Sequence, residues 1–293
     1  MKIIATPALA LLLALTALPG ALAADAPIAV VAAENFYGDV AKQIGGDRVA
    51  VGSIMNNPDQ DPHLFETTPG VVRQIADAQI VILNGADYDA WMDKLISVAP
   101  RPDRAVIDVA KLTGKKAGDN PHLWYDPATM PAAAKAMAGA LAAADPAHMS
   151  DYDARLKTFL ASLKAVNHKI AAIRAKFAGT PVTASEPVFG YMAGALGLTM
   201  HNERFQLSIM NSTEPSARDV AAFENDLKGH TARVMFVNKQ ASDKAVERLV
   251  NLARKSRIPV VGVTETAPPG LSYQDWMLNE LNDTEKALAG PSS

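Results

Sequence analysis

Short apolar runs alternate with longer segments of helical periodicity along the chain, beginning at about residue 28. This alternation is typical of α/β domains, in which helices cover a largely parallel sheet. In the first half, the apolar runs predict strands at 28–33, 49–55, 79–84 and 105–109. The segments around them predict helices at 36–44, 68–77, 88–98 and 131–144. Together these elements predict a first domain.

The second half repeats the same alternation at similar length. Its apolar runs predict strands at 181–184, 234–237 and 259–263, with helices at 188–196 and 242–255. A closing helix at 273–289 is indicated by the apolar residues Trp276, Met277, Leu281 and Leu288. We therefore expect an α/β fold of two domains with mainly parallel sheets, one over residues 24–144 and one over 179–293.

The longest helical pattern lies between these two groups of elements. Asp145 followed by Pro146 is a favourable helix start, and Gly179 and Pro181 mark the end. Apolar residues in between recur at spacings of three and four and form one stripe: Tyr152, Leu156, Phe159, Leu160, Leu163, Val166, Ile170, Ile173 and Phe177. A helix over 145–178 would be about 45 Å long, enough to join two domains as a rigid strut. The alternative is two shorter helices with a break near Ser150.

Residues 1–23 have the pattern of a secretory signal. Lys2 supplies the positive start, residues 3–18 are nearly all apolar, and the segment ends in small residues suited to cleavage near Ala23. No other stretch approaches the roughly 20 apolar residues that a membrane span needs. We therefore expect the remainder to be exported to the periplasm in soluble form.

Composition narrows the chemistry that the chain can perform. The sequence has no cysteine, which excludes disulfides, a lipid-anchored cysteine after the signal and thiolate ligands. Of 28 basic and 31 acidic residues, only Lys2 lies in the signal segment, so 27 basic residues remain and the net charge becomes −4. This charge does not suit a nucleic-acid binder. Any metal site must use nitrogen and oxygen ligands.

Two short segments, 59 positions apart, share one design: an acid or amide, then proline, histidine, leucine and an aromatic residue. The first contains Asp61, Pro62 and His63, and the second contains Asn120, Pro121 and His122. Proline restricts both its own backbone and that of the residue before it, so each imidazole is presented on a rigid turn. A preformed pair of imidazoles is well suited to binding a transition metal. A single Pro-His pair would more commonly be an ordinary loop.

Two carboxylates follow predicted strands of the second domain. Glu186 comes after the strand that begins at Pro181, and Glu265 comes after the strand that ends at Val263. Ligands of open α/β sheets bind beyond the carboxyl ends of the strands. Two imidazoles facing two carboxylates across an interdomain cleft would suit zinc, manganese or ferrous iron better than calcium or magnesium.

Over nearly its whole length after the signal, the sequence resembles the periplasmic solute-binding proteins of zinc and manganese ABC importers, known as cluster A-I. The resemblance is carried by Ala33-Glu34-Asn35-Phe36-Tyr37, Ile44-Gly45-Gly46-Asp47, Asp61-Pro62-His63 with Glu66, Asn84-Gly85, Asn120-Pro121-His122 with Trp124 and Asp126-Pro127, and Glu214-Pro215-Ser216. It implies that each domain contributes two metal ligands and that a long helix joins the domains.

The resemblance also implies roles for individual residues. His63 and His122 match the two N-terminal ligands, and Glu186 matches a third position that is histidine in many zinc members and glutamate in many manganese members. The fourth ligand is usually aspartate, whereas the nearest match here is Glu265. Glu66 and Asp126 are candidates to hydrogen-bond the two imidazoles and set their tautomers.

The remaining histidines are expected to lie outside the site. His148 and His168 fall on the predicted long helix and His230 falls in a loop, so all three are interpreted as solvated surface residues. His201 follows the first helix of the second domain and is kept as an alternative ligand.

These features predict a monomeric, non-enzymatic periplasmic receptor that binds a divalent transition metal and passes it to an inner-membrane ABC permease. Zinc is the expected metal, with manganese or iron as alternatives. The rival hypothesis is a metal-dependent hydrolase, because two histidines and a carboxylate also describe a catalytic zinc site with an open position. A binder of an organic solute or an adhesin would need an aromatic-lined cleft, and the sequence has only 17 aromatic residues (8 Phe, 6 Tyr and 3 Trp).

Overall fold

Two parallel four-stranded sheets organise the molecule in the computed structural model, which describes residues 26–58, 65–241 and 243–290. The first sheet contains β1 (Ile28–Glu34), β2 (Val49–Met55), β3 (Ile80–Leu83) and β4 (Ala105–Asp108), in the order β2-β1-β3-β4. The second contains β5 (Pro181–Ala184), β6 (Thr199–His201), β7 (Met235–Asn238) and β8 (Val260–Val263), in the order β6-β5-β7-β8. Every pairing is parallel, which confirms the predicted α/β class.

Helices connect and cover these strands. Those associated with the first sheet are α1 (Asn35–Gly45), α2 (Pro69–Asp77), α3 (Ala90–Val98), α4 (Val109–Leu112) and α5 (Thr129–Ala144). A long helix, α6 (Met149–Phe177), follows. The second group comprises α7 (Gly190–Ala195), α8 (Glu203–Met210), α9 (Ala217–Lys228), α10 (Lys244–Lys255) and α11 (Tyr273–Ala289). Because all strands of each sheet are parallel, their carboxyl ends lie at one edge, which is where ligands of open α/β sheets bind.

All seven predicted strands are present with bounds within one residue, whereas β6, α4, α8 and α9 were not predicted. The three residues of β6 are too few to give an alternating pattern, and they form a strand because they pair with β5 from Pro181 to Thr183. In α8 and α9, half of the residues are polar and few side chains are buried, Phe205 and Phe223 among them. Tertiary packing stabilises these helices more than their own periodicity does.

The helix α6 is continuous over 29 residues, without the alternative break near Ser150. Its predicted start differs, because Pro146–His148 forms a separate 3-10 turn and the α-helix begins at Met149. Asp145 does not cap this turn with its side chain. Its carboxylate instead accepts hydrogen bonds from His148 and Tyr152 and pairs with Arg48 at 3.0 Å. The bond from His148 contributes most to lowering the pKa of Asp145 to about 2.

One face of α6 is buried along its whole length, through Tyr152, Phe159, Leu163, Val166, Ile170 and Ile173. The helix packs against α1 and α5 of the first half and against α11 of the second. A single apolar cluster therefore extends through both halves. None of the helices in the described part of the chain is both long and apolar enough to cross a membrane.

The close packing of α1 on β2 depends on Gly45. A Cβ atom at this position would lie 2.3 Å from Cγ1 of Val49, a branched side chain that has little freedom to move. We expect Gly45→Ala to lower the free energy of unfolding by about 1–3 kcal/mol, as overpacking does in other cores.

Denaturant unfolding of the metal-free protein would measure this effect. Gly139→Ala is the matched control, because Gly139 lies within α5 and an added Cβ there would meet no atom within 4 Å. The control should gain about 0.5–1 kcal/mol from helix propensity. Equal stability of the two variants would contradict the packing argument.

Candidate metal centre

His122 is fully buried and is oriented by the residue two positions before it. Its Nδ1 lies 2.7 Å from Oδ1 of Asn120, whose Nδ2 donates to the Pro187 carbonyl at 2.8 Å. Because the amide nitrogen is engaged by Pro187, the amide oxygen faces the imidazole and can only accept. The ring therefore carries a proton on Nδ1, which leaves Nε2 as the nitrogen that can bind a metal.

Nε2 of His122 faces Glu265, a fully buried residue just beyond the carboxyl end of β8. Nε2 of His122 and Oε2 of Glu265 lie 3.3 Å apart. Tetrahedral coordination with bonds of about 2.0–2.2 Å places neighbouring ligand atoms about 3.3–3.5 Å apart, so the spacing fits a zinc ion.

The loop that carries Glu265 is held by residues of both halves of the molecule. Oε1 of Gln240 accepts from the backbone amides of Glu265 and Thr266 at 2.6 and 3.0 Å. From the first half, Nδ2 of Asn35 donates to the Ala267 carbonyl at 2.8 Å, and Oδ1 of Asn35 accepts from the Ala267 backbone amide at 2.9 Å. The Glu265 carboxylate is therefore presented by a backbone that is already ordered.

Glu186 follows β5, as predicted, and is only 4% exposed. Its Oε2 accepts a hydrogen bond of 2.8 Å from Nδ2 of Asn238, the last residue of β7. The same nitrogen donates to Oε1 of Glu265 at 2.6 Å. The carboxyl ends of β5, β7 and β8 thus bring together the two carboxylates with one amide between them.

His63 and Asp61, on the first predicted turn, lie outside the described residues. Within residues 26–58, 65–241 and 243–290, the His, Asp and Glu side chains form no group of three that could hold a metal ion. The described residues therefore show the pair His122–Glu265, with Glu186 joined to it through Asn238. The complete ligand set remains a prediction.

The partner predicted for His122 was wrong. Asp126 does not bond to the imidazole, because its Oδ1 accepts from the backbone amide of Ala128 at the start of α5. Asn120 takes that role. Glu66 is exposed, and its predicted partner His63 lies outside the described part of the chain.

Among the described residues, the other histidines lie apart from the pair His122–Glu265. His201 bonds to Asp226 at 3.0 Å instead of to either carboxylate of the site. His168 and His230 are exposed, as predicted. His148 was predicted to be solvated but is partly buried, because it bonds to Asp145.

Glu34, Tyr88 and Asp89 are buried titratable residues of the first half, and the Tyr88 ring contacts the His122 ring. Burial raises the pKa of Glu34 well above its ordinary value, and the neighbouring Asp89 raises it further. Burial also raises the pKa of Asp89 to about 6, although two backbone amides donate to its carboxylate at 2.7 and 2.8 Å. Burial, with the charge of Glu265, raises the pKa of the Tyr88 phenol. In both Glu34 and Tyr88, burial therefore favours the protonated, neutral form.

Several supporting residues were missed by sequence reasoning. Asn120, Asn238 and Gln240 hold the ligands or their backbone, and the Tyr88 ring meets the His122 ring edge-on at 6.0 Å. A carboxylate two positions after an apolar run was the signal that found Glu186 and Glu265. A similar signal was present at Asn238, which directly follows the run 234–237.

We expect Asn120→Ala to weaken metal binding by about 10- to 100-fold, the usual cost of losing the hydrogen bond that orients a ligating imidazole. Asn120→Asp is the control, since it keeps an acceptor for Nδ1–H while losing the bond to Pro187. Competition with a chromophoric chelator would measure both variants. If both variants lost the same affinity for metal, the cause would be the lost contact between Asn120 and Pro187, which joins the halves, and not the orientation of the imidazole.

Comparison with known proteins defines the class of this fold and site. Residues 30–287 match the family model described as zinc-uptake complex component A, periplasmic (ZnuA). The chain belongs to this family. It is therefore an exported, non-enzymatic metal-binding receptor that serves a metal ABC importer, and the hydrolase hypothesis has no support.

Individual relatives cover most of the chain. The manganese ABC transporter substrate-binding lipoprotein PsaA of Streptococcus mitis is 26% identical over 281 residues, 89% of each protein. The iron ABC transporter substrate-binding lipoprotein MtsA of Streptococcus pyogenes serotype M1 is 26% identical over 284 residues, 89% of this chain and 88% of the relative.

Solved structures share the fold. The periplasmic zinc-binding protein TroA from Treponema pallidum has a TM-score of 0.76 at 19% identity, covering 90% of this chain and 99% of its own. A crystal structure of ZnuA has a TM-score of 0.73 at 22% identity, covering 91% and 100%. Both resemble this chain in its two α/β halves and long helix.

Proposed function

We propose that this protein captures Zn²⁺ in the periplasm through His63, His122, Glu186 and Glu265 and delivers it to an inner-membrane ABC permease. The observation that supports this proposal most strongly is the distance of 3.3 Å between Nε2 of His122 and Oε2 of Glu265, both of them buried. A divalent cation bound by both atoms would balance the negative charge of the two glutamates.

The donor set suits several divalent ions but favours zinc. Two imidazole nitrogens and two carboxylates can bind manganese, iron or zinc, the metals named for relatives and structural neighbours. Among these ions, zinc forms the more stable complexes with a given set of nitrogen and oxygen ligands. Manganese and iron are therefore alternative cargoes that bind more weakly in the test tube.

Contacts between the two halves oppose wide opening. The Tyr125 hydroxyl donates to the Thr264 carbonyl, the Tyr273 hydroxyl donates to the Trp124 carbonyl, and Asn35 pairs with Ala267. With α6 packed on both halves, metal release takes place through small displacements of the ligand loops.

We further propose that residues 1–23 are removed, that 24–144 and 179–293 form the two domains joined by 145–178, and that the receptor is monomeric.

Elemental analysis of protein exported to the periplasm and purified without added metal is the direct test. We expect about one zinc ion per chain, removable by chelator and exchangeable with manganese, with affinity that falls as acid protonates the histidines. Analytical ultracentrifugation of the same sample would test whether the protein is monomeric. Protein that contains no transition metal and binds none in competition titrations would contradict the proposal.

A further inference from the structure

One amide group, that of Asn238, joins the two carboxylates of the site. Its Nδ2 donates to Oε2 of Glu186 at 2.8 Å and to Oε1 of Glu265 at 2.6 Å, and all three residues are buried. An amide nitrogen has two hydrogens, so it can serve both carboxylates at once. Hydrogen bonds to charged acceptors are about twice as strong as those between neutral groups.

The orientation of this amide is fixed by its surroundings. The backbone amide of Gln240 donates to Oδ1 of Asn238 at 3.0 Å. Because a backbone N–H can only donate, the oxygen of Asn238 must face Gln240 and its nitrogen must face the carboxylates. The backbone of Asn238 is anchored as well, since its N–H donates to Oγ of Ser185 at 3.0 Å.

Each carboxylate therefore has one oxygen engaged by the amide. For Glu265, the engaged atom is Oε1, and the other oxygen, Oε2, is the one directed at His122. The Glu265 backbone cannot readily turn to offer both oxygens, because Gln240 holds its N–H at 2.6 Å. A metal that bound both oxygens of either carboxylate would have to compete with a short charge-assisted hydrogen bond.

We propose that Asn238 determines metal selectivity by restricting Glu186 and Glu265 to one coordinating oxygen each. With two imidazoles, this restriction gives four ligand atoms, the number that zinc accepts in tetrahedral sites. Manganese favours a larger, octahedral set dominated by oxygen. The amide thus disfavours manganese without touching the metal. This inference rests on the proposed function and concerns the same site.

The test compares Asn238→Ala and Asn238→Asp with Asn251→Ala. The first variant removes both donors. The second preserves the volume of the side chain but replaces the donors with acceptors, so it remains informative if the alanine variant folds poorly. Asn251 lies exposed on α10 in the same half and serves as the control.

Competition titrations with Zn²⁺ and Mn²⁺ are expected to show a zinc-to-manganese affinity ratio lowered by at least about tenfold in both Asn238 variants, because each variant loses both charge-assisted hydrogen bonds. The ratio should be unchanged in Asn251→Ala. Loading with Co²⁺ adds a readout of coordination, because four-coordinate Co²⁺ absorbs visible light more strongly than five- or six-coordinate Co²⁺. We expect a strong band in the unaltered protein and a weaker band in the Asn238 variants.

The outcomes separate this inference from the function on which it rests. If the unaltered protein binds Zn²⁺ but the Asn238 variants keep its affinity ratio and Co²⁺ spectrum, the role of Asn238 is wrong and the receptor function stands. A uniform loss of affinity for both ions with an unchanged spectrum would reduce Asn238 to a structural residue. If the unaltered protein binds none of the three ions, both proposals fail.

Discussion

Replacing His122 by alanine should lower the affinity for zinc by at least about a hundredfold, because a four-ligand zinc site has a binding free energy of about 10–16 kcal/mol and loses a large share of it with each ligand. The loss should be greater than for most positions, since His122 is fully buried and Asn120 holds its ring in a single tautomer. Removing it also leaves the Glu265 carboxylate without its nearest imidazole. A chelator competition titration near neutral pH would measure the change.

His168→Ala is the control for this experiment, because His168 lies exposed on α6, outside the site. It should bind zinc as the unaltered protein does. The repeated turn predicts that His63→Ala will resemble His122→Ala. If His122→Ala retained near-native affinity while its far-UV spectrum was unchanged, the proposed site would be wrong.

Glu280→Gln should stabilise the metal-free protein at alkaline pH by about 3 kcal/mol, the free energy that corresponds to the pKa shift of the buried carboxyl. Burial raises the pKa of Glu280 from its ordinary 4.5 to about 7, in spite of hydrogen bonds from Trp276 and the backbone amide of Thr264. The protonated form is thus favoured in the folded state. Its contribution to stability is complete below about pH 4.5 and is lost as the pH rises to 7.

Glutamine is neutral at every pH and keeps an oxygen that can accept from both donors. Denaturant unfolding from pH 4 to 8 in the presence of chelator should therefore show a growing advantage of Glu280→Gln over the unaltered protein. Glu285→Gln, five positions along α11, is a control that should have the opposite effect and lower the stability. Hydrogen bonds from Lys169 and Lys176 lower the pKa of Glu285 to about 2, so its charge stabilises the fold above about pH 4.5. Parallel stability curves for Glu280→Gln and the unaltered protein would refute the assignment.

Periodicity predicted the scaffold well because the buried strands are continuous apolar runs. The four residues of β3, for example, are all buried. The same logic placed Glu186 and Glu265 at the carboxyl edge of the second sheet, since parallel strands end at one edge. Short elements such as β6 could not be predicted, because their stability comes from neighbours distant in sequence.

The hydrogen-bond partners of the ligands were harder to predict than the ligands. Asp126 and Asn120 both lie near His122 in sequence, and a carboxylate is the commoner partner of a metal-binding imidazole. The choice depends on backbone geometry: Asp126 is taken up by the amide of Ala128, while Asn120 is positioned by Pro187 from the other half of the molecule. Contacts of that kind have no local sequence signal.

The apolar cluster shared through α6 has a consequence for exchanging parts between relatives. The closing helix α11 lies at the end of the chain but packs against α6 and α1, and the backbone N–H of Tyr273 donates to the Asp39 carboxylate. A chimaera that joined residues 26–178 of this protein to the second half of a relative would therefore bring a foreign α11 against a native α1 and α6. Hybrid receptors made to alter metal preference should keep α1, α6 and α11 from one parent and exchange only the loops that carry the ligands.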